Sequence, residues 1–136
     1  MITADQLLAH AIGDYIIQSD WMATEKTKKS LAAVVHVITY TLPFLLVTQS
    51  WAALAVICGT HFVIDRWRLA RHFIWFKNLM MSPHHLGRSS QYPSWKECQK
   101  FGSPPDRPDW LAGWLAIFVD NIMHVSINGA AIMWLS

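Results

Sequence analysis

The chain has 136 residues, of which 53% are apolar and only 15% charged, with eight tryptophans and a mean hydropathy of +0.23. Its length bounds it to one domain, and its composition points to a membrane protein. Cys58 falls within an apolar segment and Cys98 in a polar connection, which argues against a disulfide between them. There is no Gly-rich phosphate loop, serine elbow or CxxC pair to suggest nucleotide binding, a serine nucleophile or thiol chemistry.

The first apolar segment, residues 3–22, carries Gln6, His10, Asp14 and Gln18 at four-residue spacing, which sets a polar stripe on one helix face. An aspartate at the bilayer centre costs roughly 2.5 to 3.5 kcal/mol on insertion scales, so this stripe must face protein or water. The segment does not read as a cleavable signal peptide: Asp5, His10 and Asp14 interrupt its core and no basic residue precedes it. The second segment, residues 31–48, supplies His36 and, one turn on, Tyr40, with Pro43 expected to kink its outer half. The third, residues 51–77, holds His61 and Asp65 just after Gly59. Its continuation mixes Arg66, Arg68 and Arg71 with Trp67, Phe73, Trp75 and Phe76, as an interfacial helix at headgroup level does.

Residues 78–108 contain five of the six prolines and are expected to form a cytoplasmic loop without a long helix or strand. His84, His85 and Cys98 in this loop offer metal-ligand chemistry, but adjacent histidines in such a segment read more simply as solvated. The fourth segment, residues 109–135, repeats the polar device with Asp120, His124 and Asn128. The predicted fold is therefore all-α: an integral membrane four-helix bundle with a Pro-rich connection between its third and fourth helices.

Charge distribution sets the expected topology. Lys26, Lys28 and Lys29 lie between the first two segments, and the other eight lysines and arginines lie between Asp65 and the fourth. The positive-inside rule then puts both connections in the cytoplasm and both chain ends outside, as in a multi-pass protein of the bacterial inner membrane. Orientation and attraction to anionic lipid account for these cations more simply than nucleic-acid binding, so membrane lipid is the expected partner and nucleic acid is not. Nothing in the sequence fixes an oligomeric state.

The recurring chemistry is a histidine and an aspartate one helical turn apart: His10 with Asp14, His61 with Asp65, and Asp120 with His124. Counting about 1.5 Å per residue from each cytoplasmic end puts Asp14, His36 and Asp120 roughly 9 to 16 Å deep, with His61 and Asp65 also in the inner half. These seven groups, His10, Asp14, His36, His61, Asp65, Asp120 and His124, are thus predicted to converge as ligands of one or two divalent ions, with zinc, manganese or iron suited by ligand type. Asp14, Asp65 and Asp120 are the candidates for a catalytic role, and a lipid-linked or anionic substrate suits the depth and the basic surroundings. Gln6, Gln18, Tyr40 and Asn128 read as hydrogen-bonding packing elements rather than ligands. A non-enzymatic alternative, a proton or ion relay or an interaction protein with a structural polar network, uses the same residues.

The run LLAHAIGDYIIQSDWMATEKTKKS, the His36 to Tyr40 stretch, HFVIDRWRLAR and DNIMH together resemble the bacterial and phage membrane protein family known as domain of unknown function 3307. Its most specific part is the H-x-x-G-D-aromatic-x-x-Q element from His10 to Gln18, with Tyr15 in place of an expected phenylalanine. The resemblance implies the helical membrane architecture and leaves the chemistry open. A weaker similarity to small membrane-bound metal-dependent hydrolases, which also place His and Asp on several transmembrane helices, implies metal-assisted hydrolysis only by analogy.

Overall fold

A computed structural model describes residues 2–81 and 92–136, and no strand occurs among them. The chain divides into two compact units, Met1–Arg68 with Ile122–Ser136, and Leu69–Asn121.

In the first unit, α1 (Ala4–Ala11) starts at a capping box in which the Thr3 hydroxyl accepts from the Gln6 amide and the Gln6 side chain accepts from the Thr3 amide. The helix then widens into a π-helical turn, Ile12–Ile16, closed by the Ile17 amide donating to the Ile12 carbonyl at 2.9 Å. A strict four-residue spacing runs ahead of a 3.6-residue helix by about 40° per step. The wider turn takes up that drift and keeps Asp14 on the buried side with His10. Beyond it the backbone leaves the helix, and Ser19 caps a new one, α2 (Asp20–Glu25), its hydroxyl accepting from the Met22 amide. One continuous helix over residues 3–22 is therefore replaced by two helices with a break at Gln18 and Ser19.

Helix α3 (Ser30–Thr41) buries Ala32, Ala33, His36, Val37 and Tyr40, the three-to-four spacing of one helix face. It tightens into a 3₁₀ segment, Leu42–Leu46, in which Pro43, with no amide hydrogen to give, stands in the first turn. Helix α4 (Trp51–Trp67) is capped by the Ser50 hydroxyl and buries Ala53, Leu54, Ile57, His61, Ile64 and Asp65 along the face it turns to α3. It ends at Arg68, whose φ of 51° is left-handed, so the helix expected to run from 51 to 77 is interrupted there. The apolar core of this unit joins Ala9, Tyr40, Phe44, Leu54, Ile57 and Ala131.

The second unit contains α5 (Leu69–Met81), the four-residue α6 (Trp95–Cys98) and the first part of α7 (Asp109–Leu135). Trp95 stacks on His72 at 4.2 Å, and the Trp75 indole donates to the Pro93 carbonyl at 3.2 Å. Gly102, with φ of +72°, passes so close to α5 that a Cβ there would lie 1.9 Å from the Arg71 carbonyl oxygen. The described part of the Pro-rich connection thus packs on α5 without a long helix of its own.

Among the described residues one helix, Asp109–Leu135, is long and apolar enough to cross a membrane, and the Ser30–Leu46 run is shorter. Of the four spans expected from the sequence, this is the one whose helix alone has that length, while the π turn, the Ser19 cap, the 3₁₀ segment and Arg68 divide the other apolar segments.

Candidate metal centre

Four side chains from three elements of the first unit meet at its centre: Asp14 from the π-helical turn, His36 from α3, and His61 and Asp65 from one face of α4. One ligand atom from each lies within 4.8 Å of all the others. The closest approaches are tighter. His36 Nε2 is 3.0 Å from His61 Nε2, 3.1 Å from Asp65 Oδ2 and 3.3 Å from Asp14 Oδ1. His61 Nε2 is 3.1 Å from Asp65 Oδ2 and 3.4 Å from Asp14 Oδ1. Both imidazoles are fully buried, and the carboxylates nearly so.

Packing adds to the Nε2 contacts in fixing the His61 imidazole. The His61 ring is held between Tyr40 at 3.6 Å and His124 at 3.9 Å, both stacked, while the Nδ1 atoms of His36 and His61 are buried without a hydrogen-bond partner. Asp14 Oδ1 and Asp65 Oδ2 are buried and crowded by imidazole nitrogens, and Asp65 Oδ2 also pairs with the Lys26 ammonium at 2.7 Å. The polar atoms of the cluster converge on one another and on that ammonium, and the same convergence offers a cation a set of ligands.

Other groups surround the four. Asn128 donates to the Tyr40 oxygen at 2.6 Å, which leaves the Tyr40 proton for His10 Nδ1 at 2.8 Å. The other ring nitrogen of His10, Nε2, faces Asp14 Oδ2 at 3.7 Å, beyond hydrogen-bond range. His124 Nε2 lies 3.4 Å from Asp65 Oδ1, the oxygen not turned to His36 and His61. Six of the seven predicted ligands are thus gathered in the first unit. Asp120 stands one turn before His124 on α7, partly buried, at the edge of the second unit. Tyr40→Phe removes the link between His10 and Asn128 and strands two buried polar groups. It is expected to lower stability by about 1 to 3 kcal/mol in thermal unfolding, and an unchanged melting curve would deny the network a structural role.

Lys26 is the member of the cluster that sequence reasoning misses, because it reads there as one of three topology-setting lysines. Its ammonium reaches inward to 2.7 Å from Asp65 Oδ2, 3.3 Å from His36 Nε2 and 2.7 Å from Gln18 Oε1. Its neighbours Lys28 and Lys29 pair outward with Glu25 instead. Of the other metal-binding possibility, His84 and His85 lie outside the described residues. Cys98 is buried against the Pro93 carbonyl, and burial pushes its thiol up, away from the thiolate that binds metal.

The arrangement defines a class: an all-α protein with a buried cluster of His and Asp able to hold a metal ion. The chain belongs to the DUF3307 family, described as protein of unknown function, whose model matches residues 2–88. That span contains Asp14, Lys26, His36, His61 and Asp65, whereas the DNIMH element with Asp120 and His124 lies beyond it. No curated protein and no solved structure matches the chain.

Proposed function

We propose that the chain is a multi-pass protein of the bacterial inner membrane whose polar core binds a divalent metal on Asp14, His36, His61 and Asp65. In this reading it acts as a metal-dependent hydrolase near the cytoplasmic leaflet. One observation carries the metal assignment: five of the six pairs of ligand atoms stand 3.0 to 3.4 Å apart, and all four atoms lie within 4.8 Å of one another. Tetrahedral bonds of about 2.0 Å put ligand atoms roughly 3.3 Å apart, the arrangement zinc prefers. Manganese and iron accept the same ligand types. His124, whose Nε2 lies 3.4 Å from Asp65 Oδ1, would help Asp65 to hold a second ion, and the assignment of Asp120 to the same chemistry rests on its one-turn spacing from His124.

When bound, the ion would supply Lewis-acid polarisation and acidify a water molecule. The chain's own contribution is to place Asp14 beside His36 and His61, to stack the His61 ring between Tyr40 and His124, and to exclude bulk water from Asp65. A general base would come from an Asp or His that does not ligate the ion, and Asp14, at 8% exposure against 4% for Asp65, is the ligand nearer to solvent.

The membrane assignment draws on polarity reversed from that of a water-soluble core. The first unit buries Gln6, His10, Asp14, His36, His61, Asp65, His124 and Asn128 while exposing Ile16 at 77%, Leu46 at 92% and Trp51 at 80%. Outward apolar faces on this scale suit lipid, and inward polar residues suit a membrane-embedded site. A structural network has one observation in its favour, since Lys26 already neutralises Asp65. Alkaline carbonate extraction tests the first part: the protein should stay with the membrane pellet. The second part predicts phosphate-ester or acyl-ester hydrolysis by the purified protein that chelator stops and zinc, manganese or iron restores. Hydrolysis indifferent to chelator, or none with any of the three metals, removes the enzyme reading.

A further inference from the structure

We infer that Lys26 and Gln18 form an anion subsite beside the metal, built to take a phosphate oxygen of the substrate. The inference rests on the metal reading and adds the substrate's chemical class to it. It starts from charge. With the imidazoles neutral, as metal ligands are, Asp14 and Asp65 carry two negative charges and Lys26 one positive, so these groups of the first unit are net negative by one. A divalent ion turns that to net positive by one. A buried site with surplus positive charge demands an anionic ligand, because an uncompensated charge in such surroundings is costly.

Geometry says which group meets that ligand. Lys26 is the most exposed of the groups at the centre, its side chain 16% accessible against 3% for Asp65 and 0% for His36. It therefore stands on the solvent side of the ligand cluster, where an arriving anion passes. Its ammonium is shared between Asp65 Oδ2 and Gln18 Oε1 at equal distances of 2.7 Å. With Asp65 engaged in holding a cation, Gln18 would remain as the acceptor that holds the Lys26 ammonium, whose other donors would be available to an anion.

The nearby cations are engaged elsewhere. Glu25 takes Lys28 and Lys29, and the Arg66 guanidinium donates to the Thr27 and Lys28 carbonyls at 2.7 and 3.2 Å. Arg66 thereby pins the turn that carries Lys26 over the site. A phosphate monoester oxygen matches both halves, the metal as Lewis acid and the ammonium as charge-assisted donor. The same chemistry is offered by free phosphate and by a phosphatidic acid headgroup.

Calorimetric titration of the full-length protein in detergent, first with zinc and then with inorganic phosphate, tests this for wild type, Lys26→Met and Lys26→Arg. Zinc should bind all three, and Lys26→Met at least as tightly as wild type because the competing ammonium is gone. Phosphate affinity of the zinc-loaded protein should fall about 10- to 100-fold in Lys26→Met and be largely restored in Lys26→Arg. A second arm in phosphatidylcholine nanodiscs, with and without phosphatidic acid, separates the sources: competition of the lipid with inorganic phosphate assigns the subsite to a headgroup, and its lack assigns it to soluble phosphate. Equal phosphate affinity in zinc-loaded wild type and Lys26→Met overturns the subsite while leaving the metal site intact. Loss of zinc from Lys26→Met overturns it too, by making Lys26 a structural part of the cluster. Failure of wild type to bind zinc, manganese or iron removes the metal reading itself, and the subsite with it.

Discussion

Asp65→Asn is expected to abolish metal binding, lowering affinity on the order of 100-fold or more, and to destabilise the protein by about 3 to 5 kcal/mol. Asp65 is the most connected group of the centre: it approaches Lys26, His36, His61 and His124 at 2.7, 3.1, 3.1 and 3.4 Å. The amide loses the charge that all four address and strands the Lys26 ammonium in a mostly buried position. A second substitution separates the two effects. In Asp65→Asn with Lys26→Met the stranded cation is gone, so melting temperature should recover in large part while metal binding stays absent. If the double variant melts as low as the single one, the Lys26 ion pair is not the source of the stability loss. If Asp65→Asn still binds zinc at wild-type affinity, Asp65 is no ligand.

Gly13→Ala is the second large effect, and it acts on the site through the fold. A Cβ at residue 13 would lie 2.6 Å from Tyr40 Cδ2 and 2.9 Å from the Tyr40 carbonyl oxygen. The second of these is backbone, so no side-chain rotation relieves it. The π-helical turn must move off α3, which carries Asp14 away from His36 and loosens the ring packed on His61. A stability loss of about 2 to 3 kcal/mol follows from such overpacking, together with weaker metal binding. Gly59→Ala on α4 is the matched control: its Cβ meets nothing within 4 Å. Glycine in a helix interior costs roughly 0.5 to 1 kcal/mol relative to alanine, so this change should stabilise slightly and leave the metal affinity unchanged. Equal behaviour of the two variants would mean that close approach at Gly13 does not set the position of Asp14.

The comparison of sequence and structure turns on which signals are local. The one-turn pairs were readable because a helix places residues four apart on one face whatever surrounds it, and His61 with Asp65 on α4 follows that rule. His36 was placed at the same depth by counting rise from the nearest polar boundary, and it does meet them. Three features were hidden. The π-helical turn leaves only an indirect trace, the four-residue spacing from Gln6 to Gln18 that a regular helix would wind out of register. The break at Ser19 had a usable signal, since Ser19 followed by Asp20 opens helices often, but the apolar residues on both sides mask it. Lys26 had no sequence signal at all that distinguishes it from Lys28 and Lys29. Only the turn after α2, tied down by Arg66 from α4, aims one of the three lysines inward, and that is a tertiary fact. His10 shows the same limit in another form: its spacing from Asp14 is visible, but its contact with Tyr40, thirty residues on, decides that it presents Nε2 rather than Nδ1 to the carboxylate.

The central claim is that Asp14, His36, His61 and Asp65 hold a divalent ion, and the most direct measurement is elemental analysis of the protein purified in mild detergent, wild type beside Asp14→Asn. Asp14 is the sharpest substitution because its two oxygens serve only this cluster and His10. The account predicts at least about one zinc, manganese or iron per chain in wild type, and little or none in an Asp14→Asn protein that keeps its helical content. Wild-type protein that carries no metal and takes up none of the three on reconstitution, or Asp14→Asn protein that retains a full complement, would contradict it.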